Sequence, residues 1–117
     1  MKLKVSSVNP SSVFDATKFL NDPEENWYSD AGTTQHIIFE FDEKLEFSSI
    51  KLQFQGGFGA YQMVIKTPSS EQTLFTEDVN DLQHFNFSTV TSKKVKLIFS
   101  DLADLYGRLI VYKIEFK

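Results

Sequence analysis

No cysteine occurs in the 117 residues, so neither a disulfide nor a thiolate metal site is available. Histidine is nearly as scarce. His36 and His84 cannot supply a three-histidine zinc site, and no nucleophile-elbow sequence accompanies either as a catalytic base. Gly56-Gly57-Phe58-Gly59 lacks the Lys-Ser/Thr of a phosphate-binding loop. The chain is thus short of the parts most enzymes need, and none is expected. All twelve basic residues except Arg108 are lysines, and sixteen carboxylates give a net charge of −4. That balance argues against nucleic acid as a partner, because backbone phosphates are held by a broad positive surface. No apolar run reaches the roughly 18 residues that a membrane span needs. The opening Met1-Lys2-Leu3-Lys4-Val5-Ser6-Ser7 turns polar too soon for a secretory signal. With the missing cysteines, this gives the expectation of a cytoplasmic or nuclear protein, in which Asn86-Phe87-Ser88 stays unglycosylated.

What is present is phenylalanine, with twelve residues, in alternating patterns. Ile37, Phe39 and Phe41 share one face of a run, and Ile50, Leu52 and Phe54 share one face of the next. Near the end Ile110, Tyr112, Ile114 and Phe116 alternate with Val111, Lys113 and Glu115. Further runs lie at 61–66, 72–76, 82–87 and 94–99. Period-2 alternation of this kind predicts half-buried strands. Turn-forming residues separate the runs at Asp42-Glu43-Lys44, Gly56-Gly57, Thr67-Pro68-Ser69-Ser70 and 78–81. One short helix is predicted over 12–20, with Ser11 or Ser12 as its cap. No linker or repeat interrupts the pattern, so residues 1–117 read as a single all-β domain, an antiparallel sandwich or barrel.

Four segments carry a family likeness. Val5-Ser6-Ser7-Val8 and the stretch Phe19-Leu20-Asn21-Asp22-Pro23-Glu24-Glu25-Asn26-Trp27-Tyr28-Ser29-Asp30 resemble the opening of a discoidin-type domain. Gln53-Phe54-Gln55-Gly56-Gly57-Phe58 and Asp104-Leu105-Tyr106-Gly107-Arg108-Leu109-Ile110-Val111-Tyr112 are more specific. In this order the four resemble the small nuclear receptor-associated proteins named for a testicular orphan receptor. The resemblance implies a galactose-binding-domain-like antiparallel jelly-roll β-sandwich and a non-catalytic binding protein. Repression of a nuclear receptor is attributed to the animal member.

Many discoidin-like domains that bind carbohydrate hold calcium beside the opening loop, in a pattern resembling Asp-Gly-Asp-Pro-x-Thr-x-Trp with a Glu from the last strand. Here Leu20 falls where the first Asp is expected, Asp22 matches the second, Glu25 replaces the Thr, and Lys113 stands in the place of the Glu. Calcium needs several converging oxygens, so neither calcium nor any other cofactor is expected. The Lys113 ammonium is expected beside Asp22 or Glu25, in the place of the ion; the alternative is a solvated strand lysine.

The candidate contact residues are Trp27, Tyr28, Gln53, Gln55, Phe58, Tyr61, Tyr106 and Arg108. Trp27 either stacks on a ligand or anchors its loop to the core. Gln53 and Gln55 point away from the Leu52/Phe54 side, to bind a polar ligand or to pair with neighbouring strands. Phe58, between glycines, is expected at an exposed loop tip. Arg108 offers the planar donor fork that lysine lacks; either Asp101 and Asp104 receive it or a ligand does. Ser29 and Asp30 are expected to make loop hydrogen bonds. The functional expectation is an intracellular adaptor that engages a protein partner, such as a nuclear receptor or another regulator, through its loops and one sheet face. A carbohydrate- or metabolite-binding module is the alternative.

Overall fold

The computed structural model describes Lys2–Val5, Trp27–Tyr28, Ser29 and residues 31–117. The predicted helix over 12–20, together with Asp22, Glu25 and Asp30, lies outside the described residues. Among the described residues there are seven strands: β1 Lys2–Val5, β2 Trp27–Tyr28, β3 Gln35–Phe54, β4 Ala60–Lys66, β5 Glu71–Leu74, β6 Gln83–Leu102 and β7 Ile110–Phe116. All pairings are antiparallel, in the order β2-β7-β3-β6-β4-β5, with β1 on β3.

Two of these strands serve two layers. The first part of β3 pairs with β1 and with the last part of β6, Glu40 lying opposite Lys94. The last part of β3 pairs with β7 and with the first part of β6, Ile50 lying opposite both Phe116 and Phe85. One layer is therefore β1, early β3, late β6, β4 and β5; the other is β2, β7, late β3 and early β6. The ladder slips between Glu40 and Leu45 and again between Phe47 and Ser49. Irregularities of this kind let a strand bend out of one sheet and into another. The Asp42-Glu43-Lys44 segment, expected to be a turn between two strands, is therefore a bend inside one 20-residue strand. The runs at 82–87 and 94–99 likewise fuse into β6.

The core lies between the layers. Ile37, Phe39, Met63, Ile65, Val95, Leu97 and Phe99 come from the first layer, and Ile50, Leu52, Phe54, Val111 and Ile114 from the second; all are buried. Aromatic rings join the two: Phe39 meets Phe116 edge-on at 5.0 Å, and Phe54 meets Phe99 at 5.9 Å. At the bend, buried Phe47 packs edge-on against Phe87 and Phe116. Strand β7 departs from the predicted alternation. Gln53 faces Lys113, but the next residue, Phe54, faces Val111, so Tyr112 is an extra residue in β7. This bulge reverses the phase. Val111 joins Ile114 in the core, and Tyr112 turns outward, where its hydroxyl donates to Gln55 Oε1 at 2.6 Å.

Candidate functional site

Three connections meet at one end of the sandwich: residues 55–59 between β3 and β4, 75–82 between β5 and β6, and 103–109 between β6 and β7. Tight glycine turns leave backbone N–H groups that need acceptors, and the second connection supplies them to the first. The Asp78 carboxylate accepts from Gly57 N at 3.0 and 3.1 Å and from Gly59 N at 2.8 Å. Asn80 Oδ1 accepts from Gly56 N at 2.8 Å, while Gln53 Nε2 donates to the Asn80 carbonyl at 2.7 Å. Gln53 and Gln55 are thus both engaged within the chain, the second with Tyr112 of β7. Phe58 is half-buried rather than at an exposed tip, because its N–H donates to Gln55 O and its carbonyl accepts from Ile110 N. Gly57 is the exposed residue of that turn.

The third connection is tied down from below. Ser29 is buried; its N–H donates to Leu109 O at 2.8 Å, and its Oγ accepts from Leu109 N at 2.9 Å. Buried Gln35 donates from Nε2 to Gly107 O at 3.0 Å, and Gly32 N donates to Tyr106 O at 3.1 Å. Gly107 takes φ +74°, and a Cβ there would overlap the Gly32 carbonyl oxygen. This close backbone approach is open only to glycine.

On this platform sits Arg108. Its Nε donates to Asp104 Oδ2 at 2.8 Å and its Nη2 to Asp104 Oδ1 at 3.1 Å, a bidentate pair reinforced by Arg108 N to Oδ2 at 3.1 Å. Asp101, expected to share the fork, has no part in it; it occupies a left-handed turn position with φ 54°. The hydrogen bond from the guanidinium holds the Asp104 carboxyl below its ordinary value, against a smaller opposing effect of burial. The guanidinium carbon also lies 5.2 Å from the centre of the Phe58 ring and 5.5 Å from that of Tyr106, both within cation–π range. Two of the five guanidinium N–H groups are used on Asp104, and the side chain remains 43% exposed. Tyr106 (66% exposed) and Leu105 (90% exposed) lie near it in sequence, whereas Tyr61, half-exposed on β4, accepts from Thr76 N through its carbonyl.

Trp27 and Tyr28 are placed by backbone pairing with Val111 and Ile110. Lys113 lies 3.8 Å from Glu115, and its expected partners Asp22 and Glu25 are outside the described residues. Among the described residues no three histidine or carboxylate side chains converge to hold a metal ion. The cluster thus presents unused guanidinium donors beside two aromatic faces. Sequence reasoning missed Asp78, Asn80, Leu105 and Gln35. The crowded amides of Gly56, Gly57 and Gly59 signal a need for acceptors, but not which residue supplies them.

No family model matches the chain. Relatives among characterised proteins are consistent with one another. The chain is 34% identical over 107 residues to the nuclear receptor 2C2-associated protein of Danio rerio, covering 84% of this chain and 76% of the relative. It is 35% identical to that of Xenopus laevis, covering 96% and 89%, and 32% identical to that of Mus musculus, covering 96% and 86%. The chain belongs to the nuclear receptor 2C2-associated protein family. Among solved structures, this family member is similar to chitosan-binding module 1 of a Paenibacillus chitosanase/glucanase, with TM-score 0.78 and 19% identity over 99% of this chain and 93% of the other. A family 32 carbohydrate-binding module from Clostridium perfringens, in complex with galactose, gives TM-score 0.72 at 14% identity over 98% and 91%. At such identities the likeness establishes the fold, a galactose-binding-domain-like, discoidin-like β-sandwich.

Proposed function

We propose that this family member is a non-catalytic binding module that holds a protein partner at its loop end, and that the partner is a nuclear receptor of the kind for which its relatives are named. The Arg108 cluster carries the reading. An arginine ordered by a bidentate carboxylate and set against two aromatic rings, one of them the exposed Tyr106, has the residue types that dominate protein interfaces. Because the fork is already fixed by Asp104, little side-chain freedom is lost on binding. On this reading the protein works in the nucleus or cytoplasm, beside a partner of that class.

The test is calorimetric titration of purified nuclear receptor 2C2 with the wild-type chain, Arg108→Ala and Tyr106→Ala. Each substitution is expected to weaken binding at least about tenfold. Unchanged affinity, or no wild-type binding, would sink the reading. A sugar is the second reading, supported by the carbohydrate ligands of the fold neighbours and by the unused guanidinium donors beside ring faces. Under it, galactose or chitotriose near 100 times its dissociation constant raises the wild-type Tm by several degrees and leaves Arg108→Ala unmoved.

A further inference from the structure

The outward side of the first layer carries a charge pattern that the loop end does not use. Ile37 and Phe39 face the core, so Ile38 and Glu40 stand on the opposite side, in register with Lys96 and Lys94 of β6. On β4, Lys66 lies directly opposite Lys96. These three lysines, with Thr67 and Pro68, line a surface concavity of about 260 Å³. Lys66 lies at the far end of β4 from Ala60, about 20 Å along the strand from the loop end at the usual rise per residue.

None of the three ammoniums forms an ion pair with a described carboxylate. Glu40, in register with Lys94, and Glu71, in register with Lys66, make none with them. Like charges directly opposite each other in an antiparallel pair are destabilising. In a chain whose net charge is −4, carboxylates to neutralise them are plentiful, yet three cations are gathered with no ion pair to one among the described residues. Local choices that oppose stability concentrate at functional sites. His36, outward on the same face, is pushed below its ordinary value by partial burial and then by the positive charge of Lys96.

Lysine supplies a compact charge on a flexible stem, suited to anionic groups without a fixed fork geometry. The concavity falls below the roughly 300–1,000 Å³ of a drug-sized site, so it matches one or two acidic side chains. A long polyanion would run off the patch onto a surface of net negative charge, whereas a short segment would not. We propose that this cleft docks a short acidic peptide segment of a protein partner, with carboxylates among Lys66, Lys94 and Lys96 and aliphatic stems against Pro68. It is a second interaction surface, and it stands whether or not the loop end binds a receptor.

The probe is a fluorescein-labelled, glutamate-rich dodecapeptide, followed by anisotropy at about 50 mM salt, where the Debye length exceeds 10 Å. Reversing Lys66→Glu with Lys96→Glu is expected to weaken binding more than about tenfold. Lys44→Glu, an exposed lysine at the bend, and Arg108→Ala should each stay within about twofold. The neutral pair Lys66→Gln with Lys96→Gln guards against misfolding, since it removes repulsion, and it should weaken binding severalfold. Amide shifts on titration should fall at Lys66, Thr67 and 94–96. The proposal is overturned if neither double variant weakens binding, if the shifts fall at the loop end, or if the peptide does not bind. It is equally overturned if an oligothymidylate of equal charge or a phosphatidylserine vesicle binds more tightly than the peptide.

Discussion

Gly57 and Gly107 both hold positive φ, +92° and +74°, yet the chain around them differs. Nothing lies within 4 Å of a Cβ built at Gly57, while one at Gly107 would strike the Gly32 backbone. Gly57→Ala should therefore carry only the left-handed penalty, about 1–2 kcal/mol. Gly107→Ala should lose about 3 kcal/mol or more, because backbone must also move. Urea denaturation of both variants separates the effects; equal losses would mean that the 103–109 connection is not held against Gly32. Beside Gly107, the Asp104–Arg108 pair sets a pH dependence. The Asp104 carboxyl is more acidic in the folded chain than in the unfolded one. Its contribution is thus complete above the ordinary aspartate value near pH 4 and is lost as pH falls through the lower folded value. Between about pH 5 and pH 2.5, wild-type Tm should fall more steeply than that of Asp104→Asn, and parallel curves would contradict the pairing.

At the scale of elements, one side chain organises two connections. Asp78 receives Gly57 N and Gly59 N, in partly exposed surroundings. Its replacement by alanine should lower stability by about 1 kcal/mol, and exchange of the Gly57 and Gly59 amides should accelerate far more than that of Met63 in β4. Uniform acceleration would show that Asp78 does not latch the turn. This latch also marks what the sequence could convey. The alternation of Ile37 with Phe39, and of Ile50 with Leu52 and Phe54, was readable because a strand has period two and each run keeps its register. The motifs around Gly56 and Arg108 carried the family and hence the fold. Asp78 spoke only as a turn former, since its partners lie about twenty residues away along the chain. The continuity of β3 through Asp42-Glu43-Lys44 was hidden, because a charged bend and a charged turn have the same composition. The burial of Val111 was hidden by the bulge at Tyr112, which depends on pairing with Gln53 and Phe54 rather than on β7 itself. The Arg108 fork was partly visible: a lone arginine four residues from Asp104 suggests an ion pair, but not that Phe58, fifty residues earlier, supplies a ring.

At the scale of the whole molecule, β3 and β6 each belong to both layers, so neither layer has a complete set of strands of its own. The rings of Phe39, Phe116, Phe47 and Phe87 form a connected edge-on cluster across that shared region. Loss of packing at the bend should therefore weaken both layers together instead of freeing one. Phe47 tests this, being 2% exposed and set where β3 changes layers. Phe47→Ala should lower stability by about 3–5 kcal/mol, the cost of emptying a buried phenylalanine site. Trp27, the one tryptophan, lies on β2 at the edge of the second layer, whereas far-UV circular dichroism reports strands of both. In wild type and in Phe47→Ala alike, the two probes should give coincident urea transitions, the mark of a two-state unit. An earlier Trp27 transition in the variant would mean that β2 and β7 separate from the rest. The sandwich would then be two weakly coupled layers, and the loop end and the lysine cleft could change independently. Coincident transitions instead place both surfaces on one cooperative body.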